Sequence, residues 1–226
     1  MVRAFFIVDL LIALAYPLDW AIGGVYWKIS ALIDPRGQGN LVRWYASTQL
    51  FLVAFLCAAF VRSKFDRRVW TSWLLPALPV VFVALSFEQI VEIHEWLRYR
   101  IGRVLPTGSF GKDVFYVRDI TVVGSLLITL LIIGMSYSAK QNFRRGRLMA
   151  KRYIVGFVLF LAGPPGIESL SPLISHNTTL RIVQLACEEL LELIGITFML
   201  WATRDVLVAH DVSPSLIGSP RGDPPA

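Results

Sequence analysis

Six apolar stretches, each about as long as a membrane-spanning helix, set the strongest limit on what this chain can fold into. The hydrocarbon core of a bilayer is about 30 Å thick and a helix rises about 1.5 Å per residue, so a spanning helix needs roughly 20 mainly apolar residues. The stretches cover residues 4–27, 43–62, 69–97, 117–139, 153–174 and 180–204. The sequence therefore predicts an all-α integral membrane bundle of six transmembrane helices.

The composition excludes a water-soluble globular domain. Of the 226 residues, 55% are hydrophobic and 17% are charged, and the mean hydropathy is +0.60. A net charge of +6 would favour nucleic acid as the partner of a soluble chain, but here the Lys and Arg residues lie between the apolar stretches. We therefore expect the basic residues to contact the surface of a lipid bilayer, and we expect no nucleic-acid partner.

The distribution of basic residues predicts the orientation, because Lys and Arg accumulate in cytoplasmic loops. Residues 62–68 contain four of them and residues 140–152 contain six, so both loops, and with six spans both termini, are predicted to be cytoplasmic. The loop at 98–118 also holds five basic residues, which argues against the outer position that this orientation gives it. We keep the orientation because the two basic loops at 62–68 and 140–152 fall on the same side. Residues 1–209 form the predicted transmembrane domain, and residues 210–226, with four prolines, form a flexible cytoplasmic tail.

Acidic residues inside the apolar stretches are the second unusual feature. A charged side chain near the bilayer centre costs about 2.5–3.5 kcal/mol on insertion scales, and such residues usually face the interior of a bundle or a watery cavity. No Lys or Arg lies in the central part of any stretch to neutralise them. They are Asp9 and Asp19 in the first stretch, Glu88, Glu92 and Glu95 in the third, Glu168 in the fifth, and Glu188, Glu189 and Glu192 in the sixth.

Two groups of these acids repeat at helical spacing. At about 100° per residue, Glu88, Glu92 and Glu95 fall within an arc of about 60°. Glu188 and Glu192 form a second acidic face on the sixth stretch. Counting about 1.5 Å per residue from the predicted outer ends places both faces in the outer half of the membrane. We therefore predict one carboxyl layer that is accessible from the outside, whereas Asp9 is an isolated polar residue of the inner half.

These acids predict a site that either binds a divalent cation or shares protons. Its core members are Glu88, Glu92, Glu188 and Glu192, and its additional ligands or relay members are Glu168, Glu189 and His94. Carboxylate oxygens are the preferred ligands of hard cations such as Ca²⁺, Mg²⁺, Mn²⁺ or iron, and the few His and Cys residues disfavour zinc. The alternative is a set of carboxyl groups that fix helix packing through hydrogen bonds or through pairing with Arg.

A break in the fifth stretch lies directly before Glu168, at Gly163-Pro164-Pro165-Gly166. Such breaks free backbone carbonyls and are tolerated where the backbone is buried in protein or lines a cavity. The pattern predicts either a cavity wall or a simple kink.

Three functions are compatible with these features. The first is an integral membrane protein whose carboxyl site binds a divalent cation or relays protons. The second is a membrane-embedded metalloenzyme that acts on a lipid or another apolar substrate, with one carboxylate as general base. The third is a structural subunit of a homo-oligomer or a larger membrane complex, in which the acids pair with basic groups of a partner.

The acidic motifs also carry a family resemblance. The order Glu88-Gln-Ile-Val-Glu92-Ile-His94-Glu95, Gly166-Ile-Glu168 and Glu188-Glu189-Leu-Leu-Glu192-Leu-Ile-Gly195 resembles a group of uncharacterised bacterial polytopic membrane proteins. The resemblance covers most of the chain from the third stretch onward, and it departs at Phe87-Glu88, where the group has an acidic pair. It implies a multi-pass protein of the bacterial inner membrane and a site in these stretches, without implying a reaction.

Overall fold

The computed structural model describes residues 2–24, 26–35, 37, 39–64, 76–92, 146–167 and 177–209. All regular secondary structure within these ranges is helical, which confirms the all-α class for them. The elements are α1 (Val2–Ala21), α2 (Trp27–Ile33), α3 (Leu41–Lys64), α4 (Ala77–Val91), α5 (Gly146–Leu161), a π-helical turn (Ala162–Ile167) and α6 (Thr178–Ala209). The fourth predicted stretch, 117–139, and the predicted tail, 210–226, lie outside the described residues.

Two of the described helices are long and apolar enough to cross a membrane. They are Val2–Ala21 and Leu41–Ser63, which fall on the first and second predicted stretches. Ala77–Val91 is a shorter apolar helix within the third. Length and composition therefore support membrane insertion for the N-terminal part of the chain.

The described helices bury several polar side chains and expose many large apolar ones. Asp9 and Thr197 have no exposed surface and Gln49 is 1% exposed, whereas Ile7 and Leu11 on α1 are 60% and 62% exposed. A helix in water shows the opposite distribution. Such an apolar outer surface is typical of a helix that faces lipid or another protein.

The last helix, α6, is the centre of the described packing. It contacts α1, α3, α5 and the π-helical turn. Leu193 and Met199 of α6 are fully buried, in the same apolar core as Leu50 of α3 and Phe82 of α4. Polar groups on α6 are consequently brought against several helices at once.

The α3 and α4 helices run antiparallel to each other. Ser47 Oγ lies 2.9 Å from Ser86 Oγ, and Arg43, earlier in α3, pairs with Glu92, which follows the last residue of α4. In contrast, α3 and α6 run parallel. The evidence is the order of the two contacts that join them, Gln49 to Thr197 and Cys57 to Thr203.

The α5 and α6 helices run antiparallel and approach very closely at a pair of glycines. A Cβ atom on Gly156 would lie 2.6 Å from the carbonyl oxygen of Gly195, and a Cβ on Gly195 would lie 2.5 Å from that of Gly156. Only glycine permits this separation, because real Cβ atoms essentially never approach other atoms so closely. At the other end of the pair, Arg152 forms an ion pair with Asp205.

The first helix ends earlier than predicted. It stops at Ala21 instead of continuing to residue 27, because Gly23 and Gly24 adopt left-handed conformations with φ of +84° and +66°. Left-handed glycines are common directly after helix C-termini. The chain then forms the separate short helix α2.

The third predicted stretch is also wrong as one uninterrupted helix over 69–97. Its described helix ends at Val91, and Glu92 has a left-handed backbone with φ of +51°. The helical face that was predicted to carry Glu88, Glu92 and Glu95 therefore does not continue beyond Glu92. Glu95 and His94 lie outside the described residues.

Candidate functional site

An ion pair between α3 and α4 anchors the carboxyl cluster. The guanidinium of Arg43, in the first turn of α3, pairs with the carboxylate of Glu92. Glu92 is buried, and Arg43 is partly buried. The backbone N–H of Arg43 donates to Asn40 Oδ1 over 2.9 Å, so the Asn40 side chain caps α3 and positions this residue.

A hydrogen bond between α4 and α6 brings the second acidic group to the same place. Gln89 Nε2, one residue beyond Glu88 on α4, donates to Glu192 Oε1. Glu192 is only 6% exposed. Gln89 thus joins α4 to Glu192, a member of the acidic face predicted for α6.

One cation serves several of these acids. Arg43 interacts electrostatically with both Glu189 and Glu192, in addition to its ion pair with Glu92. Glu192 also interacts with Glu188 and Glu189 on its own helix. We call Glu92, Glu188, Glu189, Glu192 and the Arg43 guanidinium the carboxyl cluster.

The remaining predicted site residues have different positions. Glu88 lies one helical turn before Glu92 on α4, is half-buried, and its backbone carbonyl accepts the Glu92 N–H over 3.0 Å. Glu168 and His94 lie outside the described residues. Within the described ranges, no three His, Cys, Asp or Glu side chains come together in a way that would hold a metal ion.

The π-helical turn positions the acidic end of α6. A Cβ atom on Gly163 would lie 2.6 Å from the backbone oxygen of Glu188, so the glycine allows the turn to pack directly against α6. Gln184 Nε2 donates to the carbonyl oxygen of Ile167 over 3.0 Å. A side chain of α6 therefore binds the backbone at the end of the π-helical turn, directly after the predicted break from Gly163 to Gly166.

A second polar group surrounds Asp9 and connects three helices. Its carboxylate accepts hydrogen bonds from Tyr45 Oη at 3.0 Å and Gln49 Nε2 at 2.9 Å on α3, and from Thr197 Oγ1 at 2.7 Å on α6. Gln49 Oε1 is buried and has no partner within the described part. We call these four side chains the Asp9 cluster.

A family model described as "Domain of unknown function (DUF8692)" matches residues 4–206. The chain belongs to the DUF8692 family. No curated protein and no solved structure matches it. The DUF8692 match begins before Asp9 and extends beyond Thr197, so the carboxyl cluster and the Asp9 cluster both lie within the family's domain.

Several residues of this DUF8692 chain were not identifiable as site members from the sequence. Arg43 lies at the edge of an apolar stretch, where basic residues are ordinary. Gln89 and Gln49 are uncharged, and Gln89 gives no signal beyond its place beside Glu88. For the Asp9 cluster the sequence does contain one clue. Tyr45 and Gln49 are four residues apart and therefore place two hydrogen-bonding side chains on one face of a helix.

Proposed function

We propose that the chain is a multi-pass integral membrane protein of the bacterial inner membrane whose carboxyl cluster takes up and releases protons. Two long apolar helices, an apolar outer surface and several buried polar side chains support the membrane location. The family resemblance of the acidic stretches supports the bacterial inner membrane.

The path of the chain between α4 and α5 supports six spans. The α4 helix ends beside Arg43, whereas α5 begins near Asp205, at the opposite end of α6 from the carboxyl cluster. The end of α4 and the start of α5 therefore lie at opposite ends of the described bundle. The apolar stretch 117–139 is long enough to connect these two ends across a membrane.

The observation that carries the proton proposal is the ratio of charges in the carboxyl cluster. Within the described residues, three carboxyl groups, those of Glu92, Glu189 and Glu192, interact with one guanidinium, that of Arg43. In an apolar interior, neighbouring carboxyl groups that outnumber their cations share protons instead of all being ionised. A site of this kind changes its protonation when its surroundings change, which is the property that a proton relay requires.

Protons fit the cluster better than a divalent cation. Glu92 is paired with a guanidinium and Glu192 accepts from an amide, so donors already occupy oxygens that a metal ion would need. The described acids do not converge as three or more ligands on one point. Binding of a divalent cation is the alternative that the titrations described below distinguish from proton binding.

The Asp9 cluster supplies a second carboxyl group deeper in the bundle. Thr197 follows Glu192 by five residues on α6, which is about 7.5 Å along the helix axis. Gln49 follows Arg43 by six residues on α3, or about 9 Å. Under the proposed topology, Asp9 lies on the inner side of the carboxyl cluster, as a second station for protons.

Infrared difference spectroscopy tests this function directly. The full chain in lipid nanodiscs is taken through a pH change, and the absorption of protonated carboxyl groups is recorded. We expect a pH-dependent carboxyl band that is reduced in Glu192→Gln. Asp205→Asn is the matched control, because it removes an acid of the same helix outside the cluster, and it should leave that band unchanged.

Two results would contradict the proposal. One is a carboxyl band that does not change with pH, or that Glu192→Gln leaves intact. The other is stoichiometric binding of Ca²⁺, Mg²⁺ or Mn²⁺ in calorimetric titrations of the wild-type chain that Glu192→Gln abolishes. The second result would assign the cluster to a cation. Reporter fusions that place either terminus outside the cytoplasm would separately overturn the predicted six-span topology with both termini cytoplasmic.

A further inference from the structure

An aromatic face of α6 lies between α1 and α5 and is only half-buried. Its rings are those of Phe198 and Trp201, which contact the ring of Phe6 on α1 at centroid distances of 5.5 and 6.4 Å. From the other side, a Cβ atom on Gly156 of α5 would lie 3.0 Å from Phe198 Cβ. The Arg152 guanidinium, also on α5, lies 3.9 Å from the centre of the Trp201 ring. The two rings therefore form the floor of a groove between α1 and α5, which we call the aromatic groove.

The contacts between α1 and α6 place Arg3 at one end of the aromatic groove. Asp9 pairs with Thr197 and Phe6 contacts Trp201, so the two helices run antiparallel. Arg3 comes one turn before Phe6 on α1 and therefore lies beside the turn of α6 that follows Trp201. It is exposed and makes no ion pair within the described residues. Its guanidinium is thus available to a ligand at this end of the groove.

Two more guanidinium groups lie at the same end. Arg204 follows Trp201 by one turn of α6, is exposed, and makes no ion pair in the part of the chain that the structure describes. Arg152 stacks on Trp201 and pairs with Asp205. Asp205 therefore neutralises one of the three arginines, and the positive charges of Arg3 and Arg204 remain in excess.

Apolar side chains continue the aromatic groove toward the middle of the bundle. Ile194 precedes Phe198 by four residues and Trp201 by seven, so it shares their face of α6. It is half-buried and lies about 10 Å deeper than Trp201 along the helix axis. On α1, Leu10 follows Phe6 by one turn and is 46% exposed. The cationic end and the apolar continuation therefore belong to one and the same face.

We propose that the aromatic groove and its arginines bind an anionic phospholipid of the inner leaflet. The lipid phosphate lies at the guanidinium groups of Arg3 and Arg204, and an acyl chain lies along Phe198 and Ile194. Guanidinium and phosphate groups form strong charge-assisted hydrogen bonds, and anionic lipids are attracted to basic side chains at the cytoplasmic surface of a membrane. A soluble phosphate ester would use the arginines but would gain nothing from the apolar floor.

The excess of positive charge also selects among lipids. A zwitterionic lipid such as phosphatidylethanolamine carries an ammonium group close to its phosphate, and this group would lie beside the same arginines. Phosphatidylglycerol carries the phosphate without the ammonium group. We therefore expect the groove to prefer phosphatidylglycerol.

This inference rests on the membrane location and on the cytoplasmic termini proposed above, but it does not depend on proton binding by the carboxyl cluster. Under that topology, the start of α1 and the end of α6 both lie at the inner leaflet. Glu192→Gln should leave the lipid preference unchanged, and Arg3→Gln should leave the pH-dependent carboxyl band unchanged. Failure of one proposal is therefore distinguishable from failure of the other.

The experiment uses native mass spectrometry of the full chain. The protein is released from nanodiscs that contain equal amounts of phosphatidylglycerol and phosphatidylethanolamine, and the lipids that remain bound are counted. We expect the wild type to prefer phosphatidylglycerol by about 25-fold, which is about fivefold from each of the two unpaired arginines. Arg3→Gln should reduce the preference about fivefold, and the double variant Arg3→Gln/Arg204→Gln should lose it.

Arg62→Gln is the matched control. Arg62 is exposed near the end of α3, at the same end of the bundle, because Cys57 of α3 contacts Thr203 of α6. The residues of α6 that α3 contacts, Thr197 and Thr203, point on average about 130° away from the two rings of the groove. The control removes the same charge away from the groove and should keep the lipid preference. Thermal unfolding of each variant shows that it remains folded.

Three outcomes would overturn the inference. The first is equal retention of the two lipids by the wild type. The second is a preference that the folded double variant keeps, or that Arg62→Gln lowers as much as Arg3→Gln does, since either result would leave only a general attraction of basic residues to the membrane surface. The third is displacement of the bound lipid by free glycerol phosphate at a comparable concentration, which would assign the arginines to a soluble anion.

Discussion

Thr197 on α6 donates a hydrogen bond of 2.7 Å to the carboxylate of Asp9 on α1, although 188 positions separate the two residues in the sequence. Both side chains are completely buried. The contact joins the first and last described helices, and the same carboxylate also accepts from two residues of α3. Asp9 therefore holds three helices in a fixed arrangement, which has a measurable consequence for stability.

Asp9→Ala should lower the free energy of unfolding by about 3 kcal/mol, because Tyr45, Gln49 and Thr197 each lose a buried acceptor. Asp9→Asn should cost less, since the amide oxygen still accepts. Asp19→Ala is the control on the same helix, and its half-buried position predicts a loss below about 1 kcal/mol. Chemical unfolding in detergent measures all three. Equal losses for Asp9→Ala and Asp19→Ala would contradict the role of Asp9.

Arg43→Gln should destabilise the chain more than Glu92→Gln does. Loss of the guanidinium leaves several acids of the carboxyl cluster without their cation, at a cost of about 3 kcal/mol, whereas loss of Glu92 leaves Arg43 with Glu189 and Glu192. The double variant should cost less than the sum of the two single variants. Additive losses, measured by the same unfolding experiment, would show that Arg43 and Glu92 act independently.

Gly195→Ala should cost about 2 kcal/mol or more, because its Cβ atom would lie 2.5 Å from the backbone oxygen of Gly156 and α5 would have to move away. Cys187→Ala is the control, since this residue is exposed on the same helix. Hydrogen exchange should show faster exchange in α5 and α6 of the glycine variant alone. Unchanged exchange there would mean that the close approach is not needed for packing.

Helical spacing was enough to predict that the acids of α6 share a face, because periodicity within one helix is a local property. It also identified Glu188 and Glu192 as neighbours of a second acidic group. Spacing does not predict which helix lies opposite, so the Arg43–Glu92 ion pair and the Gln89–Glu192 hydrogen bond are visible only after the helices are packed.

The early ends of α1 and α4 have two different physical reasons. Gly23 and Gly24 are recognisable in the sequence as residues that favour a turn, but apolar residues on both sides hide the end of α1 in a hydropathy pattern. Glu92 gives no such signal, because glutamate strongly favours helix. Its left-handed backbone ends α4, and in this position its carboxylate pairs with Arg43.

The left-handed conformation of Glu92 leads to a prediction that is opposite to helix propensity. A left-handed backbone costs a non-glycine residue about 1–2 kcal/mol. Glu92→Gly and Glu92→Ala both remove the carboxylate, so the two variants lose the same ion pair with Arg43. We expect the glycine variant to be more stable than the alanine variant by about 1 kcal/mol. If Glu92 were instead part of a continuous helix, alanine would be the more stable substitution by about the same amount, so one comparison of unfolding free energies distinguishes the two backbones.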